Sequence, residues 1–131
     1  VTEGRIHVRG ASASRIILGY ESFGAEAEDV ILLVSGPRTQ MIRWTIPFCR
    51  ALAARGYRVI RFDNRDSGRS SHFAQYGPVD FGQLVSRLMS RPDVEVAYTL
   101  YDMTGDALAL LDALPTRRTH AVGRSMGGMI A

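Results

Sequence analysis

No lysine occurs anywhere in this sequence, and cysteine occurs once. All sixteen basic residues are therefore arginine. An arginine-only set reads as a compositional bias of the genome, because phosphate-binding surfaces normally use both basic residues. Long basic runs are missing too, and the arginines alternate with apolar residues as on a solvated face. Residues 1–70 hold eleven Arg against seven acids, and residues 71–131 hold five against six, which together give the net charge of +3. That pattern argues against a nucleic-acid partner. The lone Cys49 rules out a disulfide within the chain and leaves the redox compartment open. It falls in a predicted helix, where a small buried hydrophobe is its expected role.

Membrane signals are equally scarce. The apolar run Val30 to Val34 is far too short to cross a bilayer. The N-terminus lacks a basic region followed by an apolar core, so no secretory signal is read and a cytoplasmic location is expected. The chain opens on Val rather than Met, which points to a start further upstream. His7, His72 and His120 are too dispersed to suggest a metal site, and no cofactor is expected. Internal repeats and low-complexity tracts are absent.

What is present suits a soluble globular fold: 131 residues, 46% hydrophobic and 22% charged, at most one domain's worth of chain. Arg5–Val8 and Arg15–Phe23 read as a β-hairpin around the small residues 10–14, with Ile16, Leu18 and Tyr20 on one face. Val30–Ser35 is apolar without interruption, the pattern of a strand buried on both sides. A helix is predicted over Ile46–Arg55, with Pro47 in its first turn, Phe48 and Leu52 in its apolar stripe, and Gly56 as its stop. Tyr57–Phe62 is the next strand, completing a βαβ unit.

Residues 72–97 read as an excursion holding a short amphipathic helix with Phe81, Leu84, Val85 and Leu88. Thr99 caps a helix running to Leu114, with Leu100, Met103, Ala107, Leu110, Leu111 and Leu114 three and four apart. Pro115 stops it, and Thr119–Val122 is the last strand. The expected class is α/β, a mostly parallel sheet with an antiparallel N-terminal hairpin.

The chemistry is written in Gly123-Arg-Ser-Met-Gly-Gly128, directly after that last strand. Gly-x-Ser-x-Gly between a strand and a helix start is the layout of a nucleophile elbow. By chance the pattern arises in roughly one such chain in ten, so its flanking elements carry much of the weight. Ser125 is the candidate nucleophile. Gly123 and Gly127 are needed where backbones close up and the serine takes a strained conformation. The competing reading makes Ser125 an ordinary helix N-cap, which needs no glycine on both sides. Arg124 either meets an anionic substrate group or points outward from the strand end.

An elbow serine requires a histidine base and an acid, both following it in this architecture. Only Met126–Ala131 follow here, with no histidine and no acid among them. The triad acid and base are therefore expected beyond this stretch, and the chain alone is expected to be inactive.

In this arrangement the chain resembles the N-terminal half of the α/β-hydrolase superfamily. Residues 1–131 would be the first part of a single α/β-hydrolase domain, from β1 to the start of the helix after the elbow. Val30–Ser35 ending at Gly36 matches the place of an oxyanion loop. Asp63-Asn-Arg-Asp-Ser-Gly-Arg-Ser70 is similar to the family's Asp-x-Arg-Gly-x-Gly-x-Ser loop. Tyr20–Gly24 and Thr39–Trp44 also resemble small esterases, including methylesterases of polyketide metabolism. The resemblance implies a serine hydrolase that cleaves carboxylic esters through an acyl-serine, with a small ester-like molecule as partner and no membrane or nucleic acid. A serine here also argues against dehalogenase relatives, which use an aspartate.

The same resemblance implies oxyanion donors from backbone. Met126 N–H is the first, with its side chain packing or lining the pocket. The second usually comes from the residue after the loop glycine, which here is Pro37 and has no N–H. Either a neighbouring N–H, such as that of Arg38, takes its place, or the site is weakened by about 2.7–4 kcal/mol. Asp63 is expected to hold its loop rather than serve as triad acid. His72 could approach the upper face, whereas His7 and His120 are expected to be structural. Two further readings remain open: an inactive truncated product, and a binding module that reuses the fold without catalysis.

Overall fold

The computed structural model describes residues 2–9, 15–24, 29–36, 39–71, 99–114 and 116–131. Five strands form one sheet: β1 (Thr2–Arg9), β2 (Arg15–Phe23), β3 (Asp29–Val34), β4 (Arg58–Phe62) and β5 (Arg118–Gly123). They lie side by side in the order β1-β2-β4-β3-β5. β3 pairs in parallel with β4 and β5, while β2 runs antiparallel to both β1 and β4. The parallel part is thus β4-β3-β5, with the N-terminal hairpin added along β4. The predicted excursion over 72–97 and the loop glycine's neighbours Pro37 and Arg38 lie outside the described residues.

β3 occupies the middle of the parallel part, and its side chains Val30 to Val34 are all buried. Alternation sends even and odd positions to opposite faces. Val30, Leu32 and Val34 join Ile16, Leu18, Ile60 and Phe62 on one face. Helix α2 (Leu100–Ala113) covers that face with Met103, Ala107 and Leu110, and the short helix α3 (Met126–Ile130) adds Met126 and Ile130. Ile31 and Leu33 meet Phe23, Val59 and Cys49 of helix α1 (Ile46–Ala53) on the other face.

Helix ends follow local chemistry. Thr99 Oγ1 accepts from Asp102 N at 3.2 Å, while Thr99 N donates to Asp102 Oδ2 at 2.8 Å, a reciprocal capping box. Thr45 caps α1, accepting from Phe48 N at 3.4 Å. That helix ends at Ala53, short of the expected Arg55, because a turn at 54–56 reaches Gly56 at φ +95°. Its inward face also differs from the expected stripe. Cys49 is fully buried with Leu52 and Ala53 packed beside it, whereas Phe48 stands outward and stacks on Trp44 at 5.8 Å between centroids. A one-turn 3-10 helix, Met41–Arg43, precedes α1 and was not expected from the pattern.

Among the described residues, two buried ion pairs complete the frame. Arg61 and Glu21 are cross-strand neighbours on the α1 face, with Arg61 Nε donating to Glu21 Oε2 at 2.7 Å and its guanidinium 5.2 Å from the Phe23 ring centre. Arg65 meets Asp106 across the other face. Asp106 sits within the apolar stripe of α2, where burial pushes its carboxyl above the usual carboxylate range, against the hydrogen bond and charge of Arg65. Among the described residues no helix is long and apolar enough to cross a membrane.

Candidate active site

The carboxyl ends of β3, β4 and β5 open at one edge of the sheet, and the loops leaving them carry the candidate residues. Ser125 is in the turn between β5 and α3. Its backbone has φ 58° and ψ −126°, a region that non-glycine residues occupy only when their surroundings hold them there. Its side chain makes no capping hydrogen bond, and an N-cap residue would have extended backbone. The ordinary N-cap reading therefore does not describe this serine. The residue itself is exposed.

The glycines on either side are dictated by space. A Cβ on Gly123 would overlap the Gly127 carbonyl, and one on Gly127 would overlap the Val34 carbonyl oxygen. The turn is thus pressed against the end of β3. Gly127 N donates to Arg124 O at 3.0 Å, and Arg124 N donates to Val34 O at 3.1 Å, extending the β3–β5 ladder to the serine. Met126 is 4% exposed and its side chain packs into the core beside α2, so packing rather than pocket lining is its place. The Arg124 side chain is exposed.

Gly36 lies opposite. A Cβ there would stand 3.2 Å from both Arg124 O and Ser125 Cβ, and 3.7 Å from Ser125 Oγ. The β3 end is also anchored by its neighbours. Ser35 Oγ accepts from Trp44 Nε1 at 3.2 Å, and Ser35 O accepts from Asn64 Nδ2 at 3.0 Å. Pro37 and Arg38 follow, and with them the expected Arg38 donor lies outside the described residues.

Asp63 serves as a bracket. Its Oδ1 accepts from Met41 N at 2.7 Å and its Oδ2 from Arg69 N at 3.0 Å, with the residue 2% exposed. Ser70 Oγ donates to Asp63 O and accepts from Gly19 N at 3.0 Å, which ties the loop to the hairpin. Both carboxylate oxygens of Asp63 are thus occupied by backbone donors.

The two described histidines stay apart from the serine. His120 is exposed on β5, edge-on to Tyr57 with centroids 6.1 Å apart. Three residues of strand, about 10 Å at ~3.3 Å per residue, separate it from the end of β5 at Gly123, before the turn that carries Ser125. His7 is exposed on β1 at the far edge of the sheet, with three strands between β1 and β5. His72 lies outside the described residues. Among those described, no group of three or more His, Cys, Asp or Glu is arranged to hold a metal ion.

Sequence reasoning pointed to Ser125 and its glycines but did not single out Asn64. That residue stands at the variable position of the 63–70 loop, and nothing in its spacing identifies the carbonyl it will reach.

Comparison with known proteins gives a consistent set of matches. A family model described as the alpha/beta hydrolase fold matches residues 30–131. Rhodomycin D methylesterase DauP of Streptomyces sp. (strain C5) is 34% identical over 93% of this chain and 35% of its own length. Rhodomycin D methylesterase DnrP of Streptomyces peucetius is 34% identical over 88% of this chain and 33% of its own. The crystal structure of a hydrolase from Pseudomonas aeruginosa PA01 superposes with a TM-score of 0.67 at 28% identity, covering 96% of this chain and 38% of that one. The chain spans about a third of the length of the curated relatives it matches.

Proposed function

The chain belongs to the alpha/beta hydrolase fold family, and from that premise we propose that it carries the nucleophile of a serine esterase. These residues are read as the first part of one hydrolase domain. Ser125 Oγ attacks the carbonyl carbon of a small carboxylic ester while a histidine base takes its proton. The tetrahedral intermediate collapses, the proton passes to the leaving alcohol, and an acyl-serine remains. Water activated by the same base then attacks the acyl carbon and releases the acid and free Ser125.

The observation that carries this reading is the backbone of Ser125. A serine is held at positive φ, without a capping hydrogen bond, between two glycines that admit no side chain. A binding role gives no reason to keep that conformation. The two methylesterase relatives support an ester as the substrate.

The base and acid are proposed to come from polypeptide outside these 131 residues. Asp63 and Asp106 are committed to structural partners, and His7 and His120 are remote from Ser125. The 131 residues alone should therefore show no esterase turnover. Residence in the cytoplasm remains part of the proposal, tested by fractionating cells that express the full-length protein.

A fluorophosphonate probe tests the nucleophile. It should label Ser125 in the full-length protein containing this chain, and Ser125→Ala should abolish both labelling and p-nitrophenyl acetate hydrolysis. Undiminished hydrolysis by Ser125→Ala would overturn the proposal.

A further inference from the structure

The missing N–H at Pro37 raises the question of what else could face an oxyanion from the end of β3, and the peptide joining Ser35 to Gly36 answers it. Val34 O accepts from Arg124 N, so that carbonyl is turned toward β5. Along an extended strand successive peptides turn to opposite sides, which directs Ser35 O toward β4. Asn64, two residues past the end of β4, meets it there at 3.0 Å. The peptide is planar and trans, so the N–H of Gly36 lies opposite Ser35 O and faces the β5 side, where Ser125 stands. Gly36 is buried, and its N–H has no hydrogen-bond partner among the described residues. Buried backbone N–H groups are rarely left so.

On the reading of Ser125 as nucleophile, we infer that Gly36 N–H is the second oxyanion donor and that Asn64 is the positioning residue that aims it. Asn64 never touches substrate. It holds Ser35 O from the β4 side, with only 3% of its own surface exposed, and so fixes the rotation of the Ser35–Gly36 peptide. Asp63, its neighbour, pins Met41 N at the far end of the same loop. The donor does not depend on the residue after Gly36, which explains how proline is tolerated there.

The test uses the full-length protein, p-nitrophenyl acetate as substrate and a trifluoromethyl ketone as transition-state analogue. Asn64→Ala removes the amide, and the isosteric Asn64→Asp replaces the donor with an acceptor facing the Ser35 carbonyl. Both should lower kcat about 10²-fold with KM within about threefold of the parent, and weaken the ketone in parallel. Asn64→Gln, which keeps a donor, should recover part of the loss. Thermal melting shows that each variant is folded at the assay temperature, and conclusions are drawn from those that are. A kcat within threefold of the parent in a folded Asn64→Asp protein, or a loss confined to KM, overturns the inference. Ser125→Ala run alongside separates the two levels. If it stays active the nucleophile reading fails, and if it is dead while the Asn64 variants keep full kcat, only the positioning role fails.

Discussion

The guanidinium of Arg65 meets the carboxylate of Asp106 edge to edge, with Nε to Oδ2 at 2.6 Å and Nη2 to Oδ1 at 2.7 Å. Both side chains are buried, at 3% and 2% exposure. Removing one partner leaves the other charge in the core without this pairing. Asp106→Ala should therefore cost about 3–5 kcal/mol, whereas the paired change Arg65→Met with Asp106→Leu should cost much less. Urea denaturation of the single and double variants checks both values.

The same pair sets a pH dependence. Burial raises the Asp106 carboxyl above its ordinary range, so the folded state holds that proton more tightly than the unfolded chain does. Its contribution to stability is complete below the unfolded pKa of about 3.9 and is lost as pH climbs through the folded value. The difference in unfolding free energy between the parent and Asp106→Asn should thus shift against the parent across that window, then level off. Denaturation series at closely spaced pH values measure it. A difference that moves in the parent's favour as pH rises would contradict the assignment.

Gly127 and Gly128 should respond to alanine in opposite ways. A methyl group on Gly127 would overlap Val34 O and lie 2.7 Å from Val34 C and 2.8 Å from Ser35 O, all backbone atoms that cannot swing aside. Gly127→Ala should cost about 3 kcal/mol, the upper part of the range for overpacking. On Gly128 the methyl would meet only Gly123 O at 3.8 Å. Gly128→Ala should be neutral or stabilise by up to about 1 kcal/mol. Thermal melting of the two variants side by side makes the comparison.

Asp63 caps two backbone donors with its two oxygens, a buried one at Met41 and a part-buried one at Arg69. An amide at this position offers one acceptor, and alanine offers none. A buried donor left unpaired costs about 1–3 kcal/mol and a part-buried one less, so Asp63→Ala should lose more than Asp63→Asn loses. Chemical denaturation monitored through Trp44, the one tryptophan of these 131 residues, reads the difference.

Much of this frame was legible because the information is local. The unbroken apolar run at Val30–Val34 announces burial on both faces, and β3 has it. Thr99 and the three-and-four spacing that follows it specify α2 and its buried side. Ser125 with its flanking glycines marks a turn, and a turn at positive φ stands there.

Other features depend on residues brought together only by topology. Asn64 reaches Ser35 across 29 positions of chain, and Arg65 reaches Asp106 across 41. Asp106 stands in the apolar stripe of α2, and its partner Arg65 arrives from the loop after β4. Hydrophobicity predicts Phe48 in the inward stripe, yet the rotation of α1 gives that position to the smaller Cys49, which fits beneath Trp44.

That small side chain has a practical consequence. The Cys49 thiol is fully enclosed, with its Sγ 3.7 Å from Trp44 O, and burial raises its pKa so that it stays protonated. No other sulfhydryl exists within these 131 residues. A maleimide dye or nitroxide offered to a Ser125→Cys version of this stretch would find one reactive handle, installed at the exposed bend itself. The geometry of that bend can then be followed spectroscopically, without first engineering away a competing thiol.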